Sequence, residues 1–200
     1  MDEHNVGGDL FSSRRTVRLY KDKDIERDIL LSCVDAARLA PTTVNSQPLE
    51  FIIVDDQQFV SQLLDFVVYG GELSESGKPR TDFQAKAFII LVDTVCDDYS
   101  NVNAGIAAGI VSLKAWLYGV GSCIMGNIQT SEIKKLLSVP SGYDVPLAVS
   151  LGWPAEDPKL VETNDSTAYY RKDGVLHVPK RRLDEVLHVN SYGGRLQGDF

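Results

Sequence analysis

Residues 101–126, NVNAGIAAGIVSLKAWLYGVGSCIMG, decide the fold. From Val102 to Val120 the stretch is apolar on nearly every side, with Ser112 and Lys114 the clear polar breaks past Asn103. The spacing predicts one long helix, and a helix hydrophobic all round belongs in an interior. Its first half is small: Ala104, Gly105, Ala107, Ala108 and Gly109. Small residues let another backbone come close, within the chain or across a subunit interface. The second half is large, with Leu113, Trp116, Leu117 and Tyr118, and Gly119 and Gly121 then end the helix. Ser122 to Gly126 follow, short and uncharged, suited to laying main chain against a flat ligand. A membrane span is excluded, because Lys114 interrupts the segment and no run of about 20 uncharged apolar residues exists.

Outward from that helix, the pattern predicts strands at Leu49–Val54 (LEFIIV), Ala87–Asp93 (AFIILVD) and 146–153 (PLAVSLGW). The last two are continuous apolar runs, the mark of interior strands. Helices are expected over 25–40, 57–68 and 131–137, with a last helical turn in 184–189. Residues 1–12 read as a loose start, 13–200 as a single domain, 69–81 as an exposed loop of lid-like length, and 155–174 as polar and turn-rich with no assigned element.

Composition narrows the function. The 200 residues are 44% hydrophobic with net charge −8, which fits a soluble domain and disfavours non-specific nucleic-acid binding. The acidic opening MDEHNVGGDL lacks the apolar core of a signal peptide. Three scattered cysteines, Cys33, Cys96 and Cys123, form no CxxC, so a reducing cytoplasm is expected and no disulfide frame or metal knuckle. The histidines, His4, His177 and His188, are as scattered, so neither a metal site nor a histidine-based hydrolytic site is expected. No GxGxxG follows a strand, and there is no GxxxxGK[ST] or GxSxG. A chain without an evident acid, base or nucleophile can still be an enzyme when a cofactor carries the chemistry.

Three stretches hold the candidate binding residues. Arg14, Arg15, Thr16 and Arg18 crowd guanidinium forks and a hydroxyl into five positions. They read either as a solvated basic turn or as an anion clamp. The loop Pro41, Thr42, Thr43, Val44, Asn45, Ser46, Gln47, Pro48 is either a plain connector or, with its amides between two prolines, a heterocycle-binding loop. Lys180, Arg181 and Arg182 form a second basic triplet.

Taken together, the stretches 14–18, 39–48, the alanine-rich helix running into 121–126, and 179–183 resemble the FMN-dependent nitroreductase family, in order and spacing from about residue 12 to 189. The resemblance implies an α+β fold with a mixed, mostly antiparallel central sheet wrapped by helices. It implies a homodimer packed on its long central helices, with exchanged C-terminal segments and FMN at the interface. Arg14, Arg15, Thr16 and Arg18 would match the phosphate and ring-edge contacts, and Lys180 and Arg182 further phosphate contacts. Pro41, Thr42, Thr43, Asn45 and Gln47 would come from the partner chain, and Met125 and Gly126 would offer backbone N–H groups near the flavin ring. Lys78, Thr81 and Gln84 are candidates in the middle segment. Thr42 and Thr43 stand where serines are commoner, and Leu49 where an aromatic commonly follows Gln-Pro. No catalytic side chain and no metal are implied. The activity implied is hydride transfer from NAD(P)H through FMN to a nitroaromatic or quinone by a ping-pong scheme. The alternatives are a non-catalytic flavin carrier or redox sensor, and an interaction domain without flavin.

Overall fold

The computed structural model describes residues 10–70 and 81–194. Most of the expected loop over 69–81, with Lys78, and residues 1–9 of the expected loose start lie outside the described residues. The chain forms two compact units, one ending at Glu156 and the other beginning at Asp157.

The first unit is built on an antiparallel sheet of order β1-β2-β4-β3: β1 (Leu49–Val54), β2 (Ala87–Asp93), β3 (Gly121–Met125) and β4 (Asp144–Gly152). Every residue of β2 is buried, as its unbroken apolar run predicts. Its side chains alternate between two cores. Ala87, Ile89 and Leu91 meet α2 (Arg27–Arg38) and α4 (Ser100–Leu117). Phe88, Ile90 and Val92 meet α3 (Gln57–Asp65), Ile133 of α5 (Thr130–Leu136), and the N-terminal residues Val17 and Tyr20. The first unit is therefore a sheet covered on both faces. A short α1 (Leu10–Ser13) precedes it.

Local chemistry sets the element ends. Asp56 caps α3, its carboxylate accepting from the N–H groups of Gln58 and Phe59 at 2.9 and 3.2 Å. Ile25 precedes the Glu26 cap of α2 and packs in one core with Leu30, a hydrophobic staple, so the helix expected over 25–40 starts at Arg27. The helix expected over 57–68 stops at Asp65, because Val67 turns away to bridge Ile128. Gly119, at φ 75°, closes α4.

Within one chain α4 is buried on part of its surface: Ala104, Ala107, Ala108, Val111 and Ala115 are buried, while Val102, Gly105, Ile106 and Leu117 are exposed. A side chain added at Gly105 or Gly109 would meet nothing in this chain. The segment after α4 is also more regular than expected, forming edge strand β3.

The second unit gives residues 155–174 the elements that composition left unassigned. β5 (Lys159–Thr163) runs parallel to β7 (Val175–Arg181), and β6 (Tyr170–Lys172) antiparallel to it, in the order β5-β7-β6. The opposed Tyr170 and His177 rings stack with centroids 4.9 Å apart. The short α6 (Leu183–Val186) follows.

Candidate functional site

The N-terminal arginine stretch is a ribbon laid along the outer edge of β3. Thr16 bridges Ser122, and the Val17 N–H donates to the Ser122 carbonyl at 3.0 Å. Two glycines allow this approach. A Cβ on Gly121 would stand 2.7 Å from Val17, and one on Gly152 would stand 2.6 Å from the Tyr20 ring. The Glu156 carboxylate accepts from the Arg18 N–H at 2.8 Å, pinning the ribbon further. Past Ser122, the outer edge of β3 carries no strand partner among the described residues, so the main chain at Ile124 and toward Gly126 faces no ladder there, while Met125 pairs with Ala148 of β4.

The arginines of the ribbon differ. Arg15 is 6% exposed and its guanidinium donates to the carbonyls of Phe11 and Ser12, closing α1. Burial, with the adjoining Arg14 charge, holds its pKa below the ordinary arginine value. Arg18 lies beside the Cys123 thiol, whose pKa burial raises and Arg18 pulls back. Arg14 is half-buried, and its guanidinium makes no hydrogen bond or ion pair with another described residue.

The loop 42–47 has an unusual backbone. Val44, Asn45 and Gln47 take φ values of 47°, 56° and 48°. For a β-branched residue such as Val44 the left-handed region costs about 1–2 kcal/mol. The loop is closed by the Gln47 N–H donating to the Thr42 hydroxyl at 3.0 Å, and tied at its exit by Thr94 donating to the Pro48 carbonyl at 2.9 Å. Val44 is 93% exposed, and Asn45 and Gln47 are exposed beside it. The loop hangs on α4: Asn103 Oδ1 accepts from the Thr43 N–H at 3.1 Å.

Ribbon and loop therefore attach to opposite ends of one helix. Asn103 holds the loop at the start of α4, and Trp116 near its end donates to Ser13 at 3.1 Å, beside the ribbon. Thirteen residues of helix separate them by roughly 20 Å. One chain alone does not bring the two sets together on a single small ligand. The exposed apolar face of α4 runs between them.

The other candidates are placed as follows. Gln84 lines a polar cleft of about 260 Å³ with Asp22, Gln57, Asp82 and Lys86, and no ribbon or loop residue lines it. Of Thr81 only the backbone, at the start of a 3-10 turn, is described. In the second unit Lys180 is exposed, while Arg182 donates to Asp184 at 3.1 Å, and that bond and charge raise its pKa above the ordinary value. No helix among the described residues is long and apolar enough to cross a membrane.

Comparison with known proteins places most of the first unit. The model of the nitroreductase family matches residues 11–153. The chain belongs to the nitroreductase family. A solved nitroreductase from Clostridium difficile R20291, described as FMN-dependent, superposes with a TM-score of 0.69 at 28% identity, covering 91% of this chain and 98% of that one. A protein of Archaeoglobus fulgidus provisionally named NADH dehydrogenase/NAD(P)H nitroreductase is 26% identical over 161 residues, spanning 76% of this chain and 88% of that one. The iodotyrosine deiodinase of Thermotoga neapolitana is 25% identical over 167 residues, spanning 76% of this chain and 89% of that one. The mixed α+β architecture expected for a nitroreductase is the one observed.

Two residues that shape the candidate site carry little signal in the sequence. Asn103 read as a polar break in the spine helix, and Glu156 fell in an unassigned segment. A buried amide in the first turn of an apolar helix was the available signal for Asn103. Nothing in the sequence marks Glu156, whose partner lies 138 residues away.

Proposed function

We propose that this nitroreductase-family protein is a flavin-dependent oxidoreductase that holds FMN between two copies of the chain and passes hydride from NAD(P)H to a small organic acceptor. Family membership supports the class of chemistry. The single observation that supports the arrangement is the placement of ribbon and loop at opposite ends of α4. Two copies related by a two-fold axis, paired antiparallel along the free α4 face, put the loop of one beside the ribbon of the other. Gly105 and Gly109 leave room for close helix approach.

The residues fit the group. Arg14, with no ion pair among described residues, is a charge-assisted donor for a phosphate, and the Thr16 hydroxyl adds a donor. Arg18 offers a second cation in the same ribbon, while Arg15 acts through α1, which it closes. Pro41, Thr42, Thr43, Asn45 and Gln47 present hydroxyls and amides suited to ring and ribityl edges. Past the free edge of β3, Gly126 has room to aim a backbone donor where negative charge gathers on reduction, next to Met125, which is paired with Ala148 of β4. In the second unit, Lys180 offers a cation to an anionic ligand group, and Arg182 does so in competition with Asp184. Bound flavin supplies two-electron hydride exchange; the chain supplies orientation and electrostatics. NAD(P)H and an acceptor of nitroaromatic or quinone type occupy the same place in turn, a ping-pong scheme without a side-chain acid.

Purified protein loaded with FMN is expected to bleach on anaerobic addition of NADH or NADPH and to recover its yellow colour with a nitroaromatic or quinone. Yellow protein that neither cofactor bleaches would mean a carrier or sensor. Protein that does not bind FMN would exclude the flavin reading. Sedimentation is expected to show a dimer, and dilution to release flavin as subunits part; a monomer that keeps its full flavin would contradict the shared site.

A further inference from the structure

The helix that separates ribbon from loop also sets the shape of the loop. Asn103 is 1% exposed, and its Oδ1 accepts from the Thr43 N–H at 3.1 Å and the Thr43 hydroxyl at 3.5 Å. A donating N–H fixes which end of the amide is oxygen. Its Nδ2 is buried without a partner among the described residues. An orphaned buried donor destabilises a fold, so a leucine of similar size would serve packing better. What asparagine adds is an acceptor for Thr43, the residue directly before Val44. Strained backbone persists only where its surroundings over-determine it. The Thr42–Gln47 bond closes the loop on itself, and the Asn103 bonds to Thr43 fasten its strained half to α4.

We infer that Asn103 is a positioning residue for flavin binding. Its side-chain oxygen holds Thr43 and Val44 in the conformation that presents Thr42, Thr43, Asn45 and Gln47 to the cofactor. The inference rests on the reading of loop 42–47 as a flavin contact. Because Asn103 stands on the helix whose free face forms the proposed subunit contact, the loop reaches the partner in a register fixed by that helix.

The test compares wild type with Asn103→Leu and Asn103→Asp. Each apoprotein is titrated with FMN by flavin fluorescence, and amide exchange at Thr43 is followed without flavin. Asn103→Leu is expected to weaken FMN binding about tenfold and to speed Thr43 exchange. Asn103→Asp keeps the acceptor and sits in the first turn of α4, where the helix dipole favours a carboxylate. It is expected to bind within about threefold of wild type and to keep Thr43 protected. In a Val44→Gly background, where glycine takes positive φ without strain, the leucine penalty is expected to fall below about threefold. Should Asn103→Leu fail to fold, Asn103→Ala replaces it with the same expectations. Wild-type affinity in the leucine or alanine variant, equal weakening by leucine and aspartate, or an unchanged penalty in Val44→Gly would each overturn the inference. Wild type that does not bind FMN would overturn the flavin reading instead. Thr43 exchange would then still decide whether Asn103 holds the loop.

Discussion

β2 and the loop 42–47 are opposite solutions to the same chain problem. In β2 every side chain is buried, and its backbone pairs with strands on both sides. In the loop three of six residues lie in the left-handed region, and Val44 stands almost wholly in solvent. β2 is what local sequence preference and burial both favour. The loop is what neither favours, and it holds its shape through a few hydrogen bonds to rigid neighbours. Sites are often built this way, with side chains displayed on a strained segment that a regular scaffold supports.

The sharpest way to break the contrast is to damage the scaffold. Ile90 is fully buried in β2, and Ile90→Ala is expected to cost about 2–5 kcal/mol in urea unfolding. Loss of that size would take flavin binding with it; a small loss would show that β2 is less central than its burial implies. Next comes the site without the scaffold. Arg14→Ala is expected to weaken FMN binding by about tenfold or more, with the apoprotein melting temperature unchanged. Unchanged affinity would remove Arg14 from the site, and a large drop in melting temperature would make it a structural residue.

The smallest effect tests the seam between strand and loop. Asp93 closes β2, is fully buried, and accepts from the N–H groups of Val95 and Cys96 at 2.9 and 3.1 Å. Burial by itself raises its pKa, but the hydrogen bonds outweigh it and the net shift is downward. A lowered carboxylate adds stability above its ordinary pKa, and that stability fades as pH falls through the lowered value. Asp93→Asn is expected to cost about 1 kcal/mol near neutrality, measured by urea unfolding, and progressively less below about pH 4. A penalty equally large at low pH would assign the loss to packing instead.

Much of this was legible in the residues. The apolar runs of β1 and β2 were predicted with the boundaries observed, because buried strands need uninterrupted apolar side chains. Of the two glycines expected to end α4, Gly119 does so, at positive φ, while Gly121 opens β3 and lets Val17 approach. In the second unit the closing helical turn was legible, but the strands β5 and β6 were not, since they are short and polar with little apolar period to read. Arg14, Arg15 and Arg18 looked equivalent in the sequence, but Arg15 proved to be turned onto α1 and Arg18 to lie beside Cys123.

The sequence by itself determined which residue types exist to bind an anion and a heterocycle, and which segments had to be buried, because apolar periodicity and side-chain chemistry are local properties. Tertiary structure alone decided that ribbon and loop fasten to opposite ends of α4, that one apolar face of that helix stays open, and that a buried amide holds a strained turn. Each of these depends on distances between residues far apart in the chain, and no local pattern encodes such distances.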